Sequence, residues 1–206
     1  MAGERARLFV ALDLPAEVRD ALAAWRAPVL ASCADALRPV PDEALHVTLC
    51  FLGSSPLDAA GAIGSAVERE ARAPRASGAE PGDADGGGAP AVAGLSLGAP
   101  LWLPRRRPHA LALAVDDGAG ALGRLQGALA AALADGGWFT PEQRRFLPHV
   151  TVARVRRGGD PRARARQELP SPPSLAFAGA AVTLYRSHLG RGGARYEALT
   201  RVGLAG

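Results

Sequence analysis

Short apolar runs alternate along this chain with segments whose apolar residues recur every third or fourth position. Residues 7–14 (RLFVALDL) read as a strand closed by Pro15, which opens a helix with Val18, Leu22 and Trp25 at helical spacing. Residues 45–52 (LHVTLCFL) predict a second strand ending at Gly53, and 57–72 a second helix. Strand-like pieces at 91–97 and 109–115 lead into an Ala/Leu helix over 119–134. A strand over 147–155 (LPHVTVARV) follows, then a helix start at Asp160-Pro161 and strands over 181–188 and 195–202. Between the two series, residues 73–90 hold five Gly, three Pro and no apolar residue larger than Ala. Such a segment gains too little from burial to offset its ordering entropy, so it reads as a flexible insertion. The pattern predicts an α+β fold of two lobes, mainly antiparallel, with helices outside and a cleft between similar halves. Residues 1–206 are expected to form one such unit.

Composition narrows the chemistry. The 206 residues are 48% hydrophobic but 5% aromatic, and the formal charge is +4. All 24 basic residues are arginine. Without lysine there is no Schiff-base chemistry, no Walker A lysine and no adenylated-lysine ligase. Guanidinium groups suit phosphate partners. Cys33 and Cys50 stand apart, with no C-x-x-C to suggest zinc. No apolar run has membrane-spanning length and the N-terminus lacks a signal-peptide pattern, so no membrane partner and a cytoplasmic location are expected.

The strongest signal is a duplicated tetrapeptide, His46-Val47-Thr48-Leu49 and His149-Val150-Thr151-Val152. With 4 His and 5 Thr in 206 residues, chance yields about 0.1 H-x-T triplets. In a strand, His and Thr two apart share a face while the alternate Val and Leu anchor the other. If the strands are neighbours, two imidazoles and two hydroxyls line one cleft. One neutral imidazole then accepts a proton from water while the other, protonated, donates to a leaving oxygen, both forms coexisting near histidine's ordinary pKa. The hydroxyls of Thr48 and Thr151 are suited to phosphoryl oxygens. Neither a metal nor another cofactor is needed.

These motifs, in the extended forms LHVTLCFLG and FLPHVTVAR, are similar to those of the two-histidine (2H) phosphoesterases. Together with the opening RLFVALDLP and the ending VTLYRSHLGRGGARYEAL, they most resemble the RNA 2′,3′-cyclic phosphodiesterases, or LigT-like 2′-5′ RNA ligases. Pro39 stands where such proteins often carry tryptophan. The resemblance implies hydrolysis of an RNA 2′,3′-cyclic phosphate end, tRNA fragments included, to a 2′-phosphate. It makes His46 the proton donor and His149 the acceptor, and it allows ATP-independent 2′-5′ ligation by the reverse route. A monomer is expected. Alternatives are a 2H phosphodiesterase of 2′-5′ oligonucleotides or small cyclic phosphates, and a non-catalytic RNA-binding module.

Around the second motif, eight arginines (144, 145, 154, 156, 157, 162, 164 and 166) face the single acidic Asp160, and Arg105–Arg107 form another cluster. They are candidate RNA-backbone contacts, Arg154 foremost, with Phe146 as a base-stacking candidate. Alternation places Cys50 on the His46/Thr48 face, at the cleft floor. Two glycine motifs are set aside as turns: Gly94-x-Ser96-x-Gly98, followed too soon by Pro100 for a nucleophile elbow, and Gly118-x-Gly120-x-x-Gly123, which lacks its acidic partner after the next strand. Ser187 and His188 are adjacent in a strand and so face apart.

Overall fold

The computed structural model describes residues 4–73, 92–141, 143–156, 169–190 and 193–205. Residues 74–90 of the 73–90 insertion, the helix start at Asp160-Pro161, and Arg157, Arg162, Arg164 and Arg166 lie outside them. The strands are β1 (Arg5–Asp13), β2 (Leu37–Pro39), β3 (His46–Pro56), β4 (Leu95–Leu103), β5 (Ala110–Asp117), β6 (His149–Val155), β7 (Ala176–Phe177), β8 (Ala181–Gly190) and β9 (Gly193–Gly203). The α-helices are α1 (Ala16–Ser32), α2 (Ala60–Arg72) and α3 (Ala121–Asp135).

Among the described residues, all nine strands pair antiparallel in one sheet, in the order β7-β4-β5-β6-β3-β1-β8-β9, with β2 on β6. The α+β architecture therefore follows the reading from sequence. The order is nearly symmetric about its centre, where β3 and β6 meet through one pair, Val47 opposite Val150. Beyond that pair β2 takes over the edge of β6, and the two central strands part. Each motif-bearing strand follows its neighbour by way of a helix: β1, α1, β3 in one half and β5, α3, β6 in the other.

The helices form because each has one apolar stripe to bury. In α3 the stripe is Leu122, Leu125, Leu129 and Leu133, each fully buried. In α1 it is Val18, Leu22, Trp25 and Val29, with the charged Arg26 buried among them. Leu8, Val10 and Leu12 of β1 face this core.

Three local expectations are corrected. The strand predicted at 91–97 runs instead from Leu95 through Pro100, where the pairing with β5 slips; a strand accommodates proline at such an irregularity. Gly98 therefore lies inside β4 and is not a turn glycine. The short strands β2 and β7 went unpredicted, since three and two residues carry no periodicity.

Candidate active site

Both motifs lie where expected, and the pairing of Val47 with Val150 decides how they meet. Continued one residue either way, that antiparallel register sets His46 across from Thr151 and Thr48 across from His149. The histidines are then diagonal neighbours on one face, which in a regular ladder lie about 7–8 Å apart, their Cβ atoms somewhat closer. They are close enough for the charge of His149 to act on His46.

The duplication extends to the hydrogen bonds. Nδ1 of His46 lies 2.8 Å from the Ala44 carbonyl, and Nδ1 of His149 lies 2.8 Å from the Leu147 carbonyl. A carbonyl only accepts, so each Nδ1 carries a proton and each neutral ring keeps a bare Nε2 for chemistry. Nε2 of His46 is 3.0 Å from the Thr48 hydroxyl, which donates to it in the neutral form.

It also extends to the backbone. The pairing of β1 with β3 skips Leu49, and that of β5 with β6 skips Val152, so each motif ends in a β-bulge. The bulge inverts the alternation that follows. Cys50 and Ala153 turn into the core while Phe51 and Arg154 turn into the cleft. Cys50 is therefore not at the cleft floor: it is buried under α3, and burial pushes its thiol up to about 12. Arg154, by contrast, reaches the cleft only because of the bulge.

That cleft, about 480 Å³, is lined by Phe9, His46, Thr48, Phe51, Arg154 and Tyr196, with Arg7, Arg38, His109 and Ser187 further out. His149 and Thr151 are not in its lining, so it opens on the His46 side. Phe51 is 44% exposed, with the Arg7 guanidinium 4.6 Å from its ring centroid. Phe146 is instead partly buried against the core, and Arg156 donates to the Ala34 and Leu37 carbonyls. Arg105–Arg107 and Arg144–Arg145 are exposed.

The halves differ in what stands behind each histidine. Asp13 is paired opposite His46, whereas Ala114 is paired opposite His149. Asp13 accepts hydrogen bonds from Thr183 (2.9 Å), Tyr185 (2.8 Å) and Arg201 (3.2 Å). Phe9, Tyr185 and Tyr196 enclose the His46 ring at centroid distances of 5.1, 6.4 and 5.4 Å. Burial in this aromatic box lowers the His46 pKa below 6.5, as do Arg154 and His149; the Ala44 carbonyl and Asp13 act the other way. Burial, then Asp13, pushes Tyr185 up to about 12, so its hydroxyl keeps its proton. The sequence reading missed Asp13, Phe51, Tyr185 and Tyr196. The only local signal was Asp13 as the one acidic residue of its strand.

Both set-aside glycine motifs stay outside the site. Ser96 is a residue of β4. At the start of α3, Gly120 takes φ +69°, which glycine tolerates, and the Asp117 carboxylate accepts from the Gly123 N–H at 2.8 Å. The helix start thus meets its own carboxylate where a phosphate would bind in a nucleotide fold. Ser187 lines the cleft, while His188 turns to Glu197 at 2.7 Å. Among the described residues, no three His, Cys, Asp or Glu side chains gather as metal ligands.

The family model of the 2′-5′ RNA ligase superfamily matches residues 14–191. The chain is 30% identical over 204 residues to an Escherichia coli RNA 2′,3′-cyclic phosphodiesterase, covering 96% of each. E. coli LigT complexed with 3′-AMP superposes with a TM-score of 0.72 at 29% identity, over 98% of this chain and 100% of that one. The TT0787 protein of Thermus thermophilus gives 0.69 at 25% identity, over 96% and 97%. With a match spanning both histidine motifs and the strands that carry them, the chain belongs to the 2′-5′ RNA ligase superfamily.

Proposed function

We propose that this protein hydrolyses the 2′,3′-cyclic phosphate at an RNA end to a 2′-phosphate by two-histidine acid–base catalysis. The observation that carries the reading is the doubled arrangement of His and Thr, each ring locked through Nδ1 so that its Nε2 is unprotonated in the neutral form. His149 Nε2 takes a proton from water as the water oxygen attacks phosphorus. The P–O3′ bond breaks, and His46, protonated at Nε2, gives its proton to the leaving 3′-oxygen. Thr48 and Thr151 donate to the non-bridging oxygens, and the Arg154 guanidinium offsets the phosphoryl charge. When a ribose 5′-hydroxyl replaces water, the same steps form a 2′-5′ linkage without ATP.

The assignment of donor and acceptor rests on Asp13 and Ala114. A carboxylate behind His46 favours its imidazolium, whereas the residue opposite His149 is the uncharged Ala114. Burial keeps His46 largely neutral in the free protein at neutral pH, and the bound phosphodiester anion reverses that bias where a proton donor is required. Phe51, exposed beside Arg7, supports stacking of the terminal base. Both histidines come from one chain, so a monomer suffices, and the sheet joining the halves supports treating the chain as one catalytic unit.

The test is turnover of an oligonucleotide ending in 2′,3′-cyclic phosphate, with the product's phosphate position identified. His46→Ala and His149→Ala are each expected to abolish it, and chelators to leave the wild type unaffected. Wild-type turnover in either variant overturns the mechanism. Preference for 2′-5′ oligonucleotides or small cyclic phosphates in a substrate panel would replace the substrate.

A further inference from the structure

The buried arginine of α1 has no role in the chemistry above, yet it bonds to the supports of both motifs. Arg26 is 6% exposed and sits within the apolar stripe of its helix. Its guanidinium donates to the Val152 carbonyl at 2.9 Å, to the Val40 carbonyl, and to the Asp42 carboxylate. Val152 is the bulge residue of the second motif, which carries Thr151 on one side and sends Arg154 into the cleft on the other. Asp42 opens the 3₁₀ turn Asp42–Ala44, whose last carbonyl holds Nδ1 of His46.

We propose that Arg26 is a positioning residue that fixes both catalytic strands at once, setting the His46 tautomer through Asp42 and Ala44 and the His149 strand through the Val152 bulge. The inference rests on the two-histidine reading given above. A bulge leaves its backbone without regular ladder partners. The Val152 carbonyl accepts both from the Val40 N–H at 3.1 Å and from Arg26, which pins β6 to the segment leading into His46. The other half has a weaker counterpart. Gln126 of α3 reaches the Leu49 carbonyl, the first motif's bulge residue, at 3.5 Å. Each bulge is therefore tied to the helix of the opposite half. The planar fork of arginine serves three acceptors in fixed directions; the three donors of lysine radiate from one nitrogen and cannot span them.

The test uses the full chain and compares Arg26→Met, Arg26→Lys and Asp42→Ala with the wild type. Two readouts are taken: steady-state kinetics on the cyclic-phosphate oligonucleotide, and the His46 tautomer from its imidazole nitrogen NMR shifts. Arg26→Met is expected to lower kcat by roughly 10- to 100-fold with KM within about threefold. It should also shift His46 from the Nδ1–H tautomer toward Nε2–H. Arg26→Lys should recover part of both, and Asp42→Ala, which removes one arm from the exposed side, should disturb the tautomer with a several-fold loss of kcat. Folded Arg26→Met with wild-type kcat and tautomer overturns the proposal. If Arg26→Met does not fold, wild-type values in Arg26→Lys together with Asp42→Ala overturn it. The tautomer is read without substrate. A wild type with no turnover but a tautomer that follows Arg26 would therefore sink the catalytic reading and leave the positioning role standing.

Discussion

At the scale of single residues, the two imidazoles are chemically unequal although their strands are alike. His46 is walled by Phe9, Tyr185 and Tyr196 and backed by Asp13. Its lowered pKa means that the folded protein binds fewer protons than the unfolded chain just below pH 6.5. Through this group stability therefore falls as pH drops from about 6.5 toward the folded pKa, and is gained as pH rises. NMR titration of the free protein should place the His46 midpoint below 6.5, and saturating inorganic phosphate should raise it. A midpoint that phosphate leaves in place would count against an anion site at Nε2. Asp13→Asn removes the carboxylate charge but keeps an acceptor for Tyr185. It should lower the His46 midpoint further and reduce kcat about 3- to 10-fold, in line with a change of up to one pKa unit. Thr48→Ala and Thr151→Ala should each cost on the order of 10²- to 10³-fold in kcat, as loss of one donor to a charged oxygen does.

At the scale of elements, the bulge after each motif decides which side chains turn toward the cleft beside His46 and which turn into the core. It turns Cys50 inward, and Cys33 is buried as well. A thiol reagent added to the native protein should therefore label neither cysteine until denaturant is present; rapid labelling of Cys50 in the folded state would place it back on the cleft. The bulges rest on helices whose apolar stripes fix their position. Truncating the fully buried Leu129 of α3 to Ala should cost about 2–5 kcal/mol in urea denaturation, a cavity-sized loss.

At the scale of the whole molecule, the sheet is nearly symmetric in strand order but asymmetric in side chains. The positions after the bulges carry an aromatic in one half and a guanidinium in the other, Phe51 and Arg154. Under the proposed function, a phosphate with one base to stack and one charge to neutralise would fit this cleft in a single orientation. Arg7, Arg38 and Arg154 line the cleft while Arg105–Arg107 lie exposed, so RNA affinity should fall steeply with salt. The slope of log affinity against log salt should be about −0.7 per phosphate contacted, and Arg154→Ala should flatten it by about one such step. A salt-independent affinity would exclude the arginines from binding. No helix among the described residues is long and apolar enough to cross a membrane.

Much of this was legible in the linear chain because its causes are local. Apolar spacing drew α1, α3 and the motif strands within a few residues of their bounds, and the doubled H-x-T, improbable by chance, named His46, Thr48, His149 and Thr151. Alternation also put each histidine on its threonine's face, since that rule holds while a strand is regular. It failed one residue past each motif, at Cys50 and Ala153, because a bulge depends on the register of a partner strand distant in sequence. Nothing beside His46 announces that Asp13 will stand opposite it, or that Arg26, in the hydrophobic stripe of a helix, will bond to a carbonyl 126 residues away. The sequence by itself singled out the candidate histidines and threonines and the kind of element they sit on. Their pairing, the inequality of the two rings and the supports behind them were decided by tertiary contacts, because those depend on which distant segments meet.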